Sequence, residues 1–256
     1  MKLGVCCSLK DAALVKQIGY DYFECTFCSV AEMSDEEFEA FRTEVHQLGF
    51  FPEAMNVMLP GTMRLTGDHA DHEAIRPYLE TGFRRAAQVK MKSVVFGSGD
   101  ARNLPKGFTD RAKGYDQIVD YTRMAGEIAA RYGCVIAVEP LSFPYANIVN
   151  FIAEGVYVAQ RVNMPESVRS LADYYHMLLN KEPLSMLYAH GAYLQHCHIS
   201  APTREFPAPQ DRHNYEPFFA ALKAVGFRGR LSIEANAQGP LEQVAKAAFD
   251  HLKPLI

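Results

Sequence analysis

The chain has no excess of charge of either sign: 26 lysines and arginines stand against 30 aspartates and glutamates, a formal net charge of -4 over 256 residues. No global field draws in a phosphate backbone or an anionic membrane, so nucleic acid is a disfavoured partner. Long apolar runs are missing as well. The first run is cut off at Lys10-Asp11, too short for the apolar core of a signal sequence and far too short for a membrane span, and a cytoplasmic protein is expected. Cysteine is sparse and without framework spacing. Of Cys6, Cys7, Cys25, Cys28, Cys134 and Cys197, most sit in or beside apolar strand-like runs, as small buried hydrophobes in a reducing compartment do. Cys25 and Cys28 form a C-x-x-C, but no second such pair exists to complete a zinc site, and a structural role is expected for them. A P-loop and a dinucleotide fingerprint are also absent.

What is present is an alternation of strand-like and helix-like segments with little sign of a linker. Apolar runs occur at Leu3 to Ser8, Tyr22 to Cys25, Phe50 to Asn56, Ser93 to Phe96, Cys134 to Val138, Val168 to Ala172, Leu194 onward and Arg230 to Ile233. Helical patterns lie between them, at Asp11 to Ile18, from an N-cap at Ser34 to Leu48, and at His72 to Val89, Asp110 to Tyr132 and Asn150 to Val162. They continue at Tyr174 to Asn180, Leu184 to His190, Tyr215 to Val225 and Leu241 to Leu252. The run Cys134 to Val138 does not alternate, as befits a strand covered on both faces. Eight strands interleaved with helices argue for a single (β/α)8 (TIM) barrel over residues 1–256 rather than a doubly wound sheet.

Active sites of such barrels sit at the carboxyl ends of the strands. There the sequence places Glu139-Pro140 after strand five, Asp173 after strand six, His198 at the end of strand seven and Glu234 after strand eight. Three carboxylates and an imidazole facing one axis repel unless a cation neutralises them, and a set rich in oxygen with one nitrogen suits Mn²⁺, Mg²⁺, Co²⁺ or Zn²⁺. One divalent metal held by Glu139, Asp173, His198 and Glu234 is therefore expected, with open positions that can polarise a carbonyl. His196 shares a strand face with His198 but lies one pleat deeper, so it is expected to support the site or fill the core. Three features stay open. Gly97-Ser98-Gly99 with Arg102 reads as a phosphate cradle or as a plain turn; the long loop Val57 to Asp71 suits a functional segment; and Phe143, Tyr145 and Phe206 form either an apolar wall against a ligand or packing between loops.

These residues carry a family resemblance. The chain resembles the xylose isomerase-like barrels, in particular the sugar (phosphate) isomerase/epimerase group that includes tagatose and psicose 3-epimerases. The carriers are Val94 to Gly99 with Ala101-Arg102-Asn103, Glu139-Pro140-Leu141 with Asn147, Asp173 with His176-Met177, His196-x-His198 with Arg204, and Leu231 to Glu234. The resemblance implies that Glu139 and Glu234 stand on opposite faces of a ketose and exchange the proton beside its carbonyl through an enediolate. It implies that His176 and Arg204 contact substrate oxygens and that the partner is a small sugar or polyol-derived ketone. Related barrels form dimers or tetramers, so a homo-oligomer is open here.

The chain also departs from that pattern. Where the epimerases carry a substrate-contacting Glu six residues after the strand-five ligand, this chain has Tyr145, and the segment after the strand-seven arginine is changed to Glu205 through Asp211. Inosose and dehydroshikimate dehydration and hydroxypyruvate isomerisation run on the same scaffold, so a lyase is the alternative. Endonuclease IV-type nucleases resemble the chain less: His176, Asp211 and His213 match the spacing of their third-metal ligands. Their strand-three and strand-four histidines are replaced by Ala54-Met55-Asn56 and Phe96-Gly97-Ser98, and no basic stripe meets a phosphate backbone. A sugar-binding barrel without catalysis has little use for a complete ligand quartet.

Overall fold

The computed structural model describes residues Met1–Ile256. Eight parallel strands close into a barrel in sequence order: β1 Lys2–Cys6, β2 Tyr22–Thr26, β3 Pro52–Asn56, β4 Ser93–Phe96, β5 Val135–Val138, β6 Val168–Asp173, β7 Leu194–Ile199 and β8 Arg230–Ile233. Closure is made by β1 against β8, with Leu3 opposite Leu231 and Val5 opposite Ile233. Helices follow the strands and cover them, so the main apolar core lies between barrel and helices and includes Val94, Phe96, Ile136, Val138 and Leu231. Val95, Ala137 and Leu171 form a separate small cluster. No helix is long and apolar enough to cross a membrane.

Local chemistry explains the element ends. Ser34 accepts from the Glu37 amide at 3.1 Å while Glu37 accepts from the Ser34 amide at 2.7 Å, a reciprocal cap that starts the helix Asp35–Leu48. At the floor of the barrel the absence of a side chain on Gly4 admits the Tyr22 ring, because a Cβ there would stand 2.3 Å from the ring carbon bearing the hydroxyl. The Tyr22 hydroxyl then meets Ser232 Oγ at 2.7 Å.

Sequence pattern and structure differ in a few places. Two short helices, Phe27–Glu32 and Gly99–Arg102, were not expected. The first is only six residues long and follows β2 directly, too short for a helical period to register. It is held by packing: a Cβ on Gly82 of the helix Arg76–Gln88 would lie 2.4 Å from the Phe27 ring. Strand six runs one residue further than its apolar run, to Asp173. The carboxylate closes the strand and caps the helix Tyr174–Leu179.

Candidate metal centre at the carboxyl ends of the strands

Main-chain bonds extend the barrel ladder by one residue at Glu139 and Glu234. The Glu139 amide donates to Phe96 O at 3.1 Å and the Glu234 amide to Ile199 O at 3.0 Å, which fixes both side chains at the mouth. Asp173 lies opposite His198 in the β6–β7 register. Its Oδ1 accepts from the amides of Tyr175 (2.7 Å) and His176 (3.3 Å), so the helix start holds the carboxylate and leaves Oδ2 toward the site. The ligand-type atoms of Glu139, Asp173, His198 and Glu234 all fall within 4.8 Å of one another.

The electrostatics show why this set suits a cation. His198 Nδ1 lies 3.0 Å from Glu139 Oε1 and 3.3 Å from Glu234 Oε2. Burial by itself disfavours a charged imidazole, but Glu234, Glu24 and Glu139 outweigh it and raise the His198 pKa well above the usual histidine value. Arg204 donates from Nη1 to Asp173 Oδ2 at 3.2 Å and from Nη2 to Glu234. Burial pushes the Glu234 carboxyl up, yet His198, Arg204 and the Asn56 amide, 3.0 Å from Oε1, hold it well below the usual range. Positive groups thus gather wherever the carboxylates converge, and a divalent ion supplies that charge from one point. Gly97 leaves room for the arrangement, since a Cβ there would stand 2.2 Å from Glu139 Oε2.

The loops around the mouth carry several residues in unusual backbone conformations. Val57 (φ 48°), Ser98 (φ 38°), Val149 (φ 58°) and Arg204 (φ 64°) all adopt left-handed backbones in segments that follow strands. For β-branched valines this conformation is a true outlier and marks strain held by surrounding contacts. One such contact joins the β3 and β4 loops, the Leu59 amide donating to Ser98 Oγ at 3.0 Å.

The substrate-contact candidates sit beside the cluster. His176 Nε2 is 3.6 Å from Asp173 Oδ2, and Nδ1 faces the Ser142 amide (3.2 Å) and hydroxyl (2.9 Å). The Arg204 guanidinium lies over the Tyr175 ring, 4.6 Å from its centroid. Tyr145 packs edge-on against His176 with ring centroids 5.1 Å apart, and its hydroxyl meets that of Tyr175 at 3.1 Å. Of the three aromatic candidates Tyr145 is therefore the one next to the cluster. Phe143 is exposed and packs on Phe151, while Phe206 is buried in the core.

Three candidate features do not join the site. Arg102 is fully buried and donates to Phe96 O at 3.0 Å and Val149 O at 3.2 Å; it is a strut tying β4 to the β5 loop, with no face toward a phosphate. Asp211 and His213 belong to no metal-binding group. Asp211 accepts from the Tyr215 hydroxyl at 2.6 Å and the His213 amide at 2.7 Å, and His213 Nε2 pairs with the Tyr174 hydroxyl at 2.9 Å. Cys25 and Cys28 are free thiols whose pKa values burial pushes up, the opposite of a reactive or metal-binding pair.

Glu24 is the residue that the sequence pattern passed over. It lies in the middle of β2, fully buried, with Oε1 3.0 Å from His198 Nε2 and Oε2 2.9 Å from His196 Nε2. Its signal was a single charge inside an apolar run, which a strand tolerates only when the charge is paired.

Comparison with known proteins agrees with this architecture. A curated relative, the 3-dehydro-D-guloside 4-epimerase of Escherichia coli (strain K12), is 27% identical over 146 residues, 53% of this chain and 50% of the relative. The match thus spans about half the length of that protein. The solved D-psicose 3-epimerase of Clostridium cellulolyticum H10, with D-tagatose, superposes with a TM-score of 0.88 at 17% identity, covering 100% of this chain and 99% of that one. The 3-keto-D-glucoside 4-epimerase of E. coli, in its apo form, gives 0.84 at 19% identity with 99% of each chain covered. At such identities the likeness is one of fold. The family match is broader in sequence, running over residues 12–255, and on that ground the chain belongs to the xylose isomerase-like TIM barrel family.

Proposed function

We propose that the chain is a divalent-metal-dependent sugar isomerase or epimerase that moves the proton beside a ketone carbonyl through an enediolate. One observation carries this: Glu139 and Glu234 approach the same imidazole nitrogen, at 3.0 and 3.3 Å, from different strands. Two carboxylates that flank one point supply one base for each face of a planar intermediate. That the relatives named above are sugar epimerases supports the reading.

Glu139, Asp173, His198 and Glu234 are the residues that would hold the ion, Mn²⁺ first for this donor set, with Mg²⁺, Co²⁺ or Zn²⁺ as alternatives. When bound, such an ion withdraws electrons from a carbonyl and acidifies the neighbouring C–H. One glutamate then takes the proton and the other returns one on the opposite face. His176 and Arg204 hold substrate oxygens, and Tyr145 presents a neutral phenol to the sugar. The ketose is unphosphorylated in this proposal, because Arg102, the cation beside the β4 glycines, is fully buried and donates to main-chain carbonyls.

Dehydration of an inosose or dehydroshikimate is the second reading. It shares the first proton transfer and then needs an acid for the departing hydroxide. The Tyr145–Tyr175 hydroxyl pair, 3.1 Å apart beside His176, is the feature that favours it. A panel of ketoses, aldoses and inosose incubated with the Mn²⁺-loaded protein separates the two by product chromatography: an isomeric sugar is expected, and a dehydrated product from inosose alone would replace the proposal with the lyase.

A further inference from the structure

Glu24 reaches across the barrel from β2 to β7, and each of its oxygens ends on the Nε2 of a different imidazole, His198 at 3.0 Å and His196 at 2.9 Å. All three side chains are shut off from solvent. A carboxylate accepts hydrogen bonds and donates none, so both Nε2 atoms carry hydrogen. The nitrogen left to meet a metal, giving up its own hydrogen where it carries one, is then the other one, and which nitrogen that is follows from the partner of the first. For His198 the other nitrogen is Nδ1, the atom turned to Glu139 and Glu234.

His196 explains itself only through this contact. Its Nδ1 is buried without any hydrogen-bond partner, and Ser232 Oγ reaches Nε2 only at 3.5 Å. The ring stands perpendicular to that of His198, at 88° with centroids 4.9 Å apart, so the two N–H groups meet the two oxygens of one carboxylate. A lone ion pair would be satisfied by one histidine. Two leave Glu24 no freedom to rotate.

We infer that Glu24 is a positioning residue that keeps hydrogen on His198 Nε2 and so leaves Nδ1 as the atom that a cation at the centre of the ligand quartet meets, with His196 as the second anchor of that carboxylate. This rests on the quartet being a metal centre, as proposed above, but the hydrogen on Nε2 is measurable without any metal.

The experiment is ¹⁵N–¹H correlation of the histidine rings in the full-length wild-type chain, first metal-free and then with Zn²⁺, which is diamagnetic. Protonated Nε2 on both His196 and His198 in the metal-free chain is expected, with His198 Nδ1 alone shifting on Zn²⁺ addition. A bare Nε2 on His198, or two Zn²⁺ per chain with both Nε2 atoms perturbed, would overturn the inference. Glu24→Gln offers one acceptor and one donor, so one imidazole must change tautomer; Zn²⁺ affinity is expected to fall about 10–100-fold, the usual effect of losing a ligand's hydrogen-bond partner. Affinity within twofold of wild type and an unchanged His198 spectrum would also overturn it. If Glu24→Gln fails to fold, the wild-type spectra still decide. If the wild-type chain binds no divalent ion, the functional proposal fails while the Nε2 protons still test Glu24.

Discussion

Gly97 stands directly against the Glu139 carboxylate: a Cβ on it would lie 2.2 Å from Oε2. Its φ is not in the left-handed region, so alanine is compatible with the backbone and only the glutamate has to yield. Gly97→Ala is expected to push Glu139 out of the quartet, lowering Mn²⁺ affinity at least tenfold in calorimetric titration. The overpacking itself costs about 1–3 kcal/mol of stability. Unchanged Mn²⁺ affinity in a folded variant would remove Glu139 from the ligand set.

Arg204 joins Asp173 and Glu234 while resting on Tyr175. Without the guanidinium the two carboxylates face each other with less compensation, and a bound cation relieves the same repulsion. Arg204→Ala is therefore expected to lower metal-free stability by about 2 kcal/mol, between the ~0–1 kcal/mol of an exposed pair and the ~3–5 kcal/mol of a buried one, and to lose most of that deficit in Mn²⁺. Thermal melts with and without Mn²⁺ check this. An equal deficit in both would show that Arg204 acts apart from the metal centre.

How legible was this in the sequence? The barrel was, because each strand is a compact apolar run and each of the long helices keeps its period. The four convergent residues were too, since a carboxylate or imidazole directly after such a run marks the strand's carboxyl end. Glu24 was not, because nothing local says that a charge in mid-strand is met by histidines from β7. Arg102 is ambiguous in the sequence for a related reason: its neighbours Gly97 and Gly99 suit a cradle or a plain turn, while the carbonyls of Phe96 and Val149 that absorb it come together only in the fold. The left-handed Val57 and Val149 likewise contradict their own propensity and appear only once tertiary contacts impose them.

Tyr145 tests recognition. Its ring lies on His176 and its hydroxyl on Tyr175, yet it is about half exposed, 47%, so stability depends little on it. Tyr145→Phe is expected to leave the melting temperature nearly unchanged and to shift the kcat/KM ratio between two ketoses differing in one hydroxyl by roughly tenfold, the equivalent of one hydrogen bond worth about 1.4 kcal/mol. A constant ratio would place Tyr145 outside the sugar's reach.

Glu182 gives a pH test outside the ligand quartet. Burial raises its pKa to about 7, with Glu154 adding to the shift, although its carboxylate accepts from the Ile152 amide at 2.8 Å. A carboxyl with a raised folded-state pKa contributes its full stability below the ordinary carboxylate value, and that contribution is lost as pH rises through about 7. Glu182→Gln keeps an acceptor for Ile152 and cannot ionise. It is expected to be more stable than wild type at pH 8 and similar at pH 5 in urea unfolding; an identical difference at both pH values would contradict the shift.

Proton exchange beside the carbonyl is the step on which the functional proposal turns, and it is read by incubating Mn²⁺-loaded protein with ketoses in D₂O. Deuterium is expected at the carbon next to the carbonyl of the substrate and its epimer, with Glu139→Gln and Glu234→Gln each slowing incorporation by about 10²–10⁴-fold, the contribution of one positioned base. A metal-loaded wild-type chain that incorporates no deuterium into any ketose, or both variants exchanging at the wild-type rate, would contradict it.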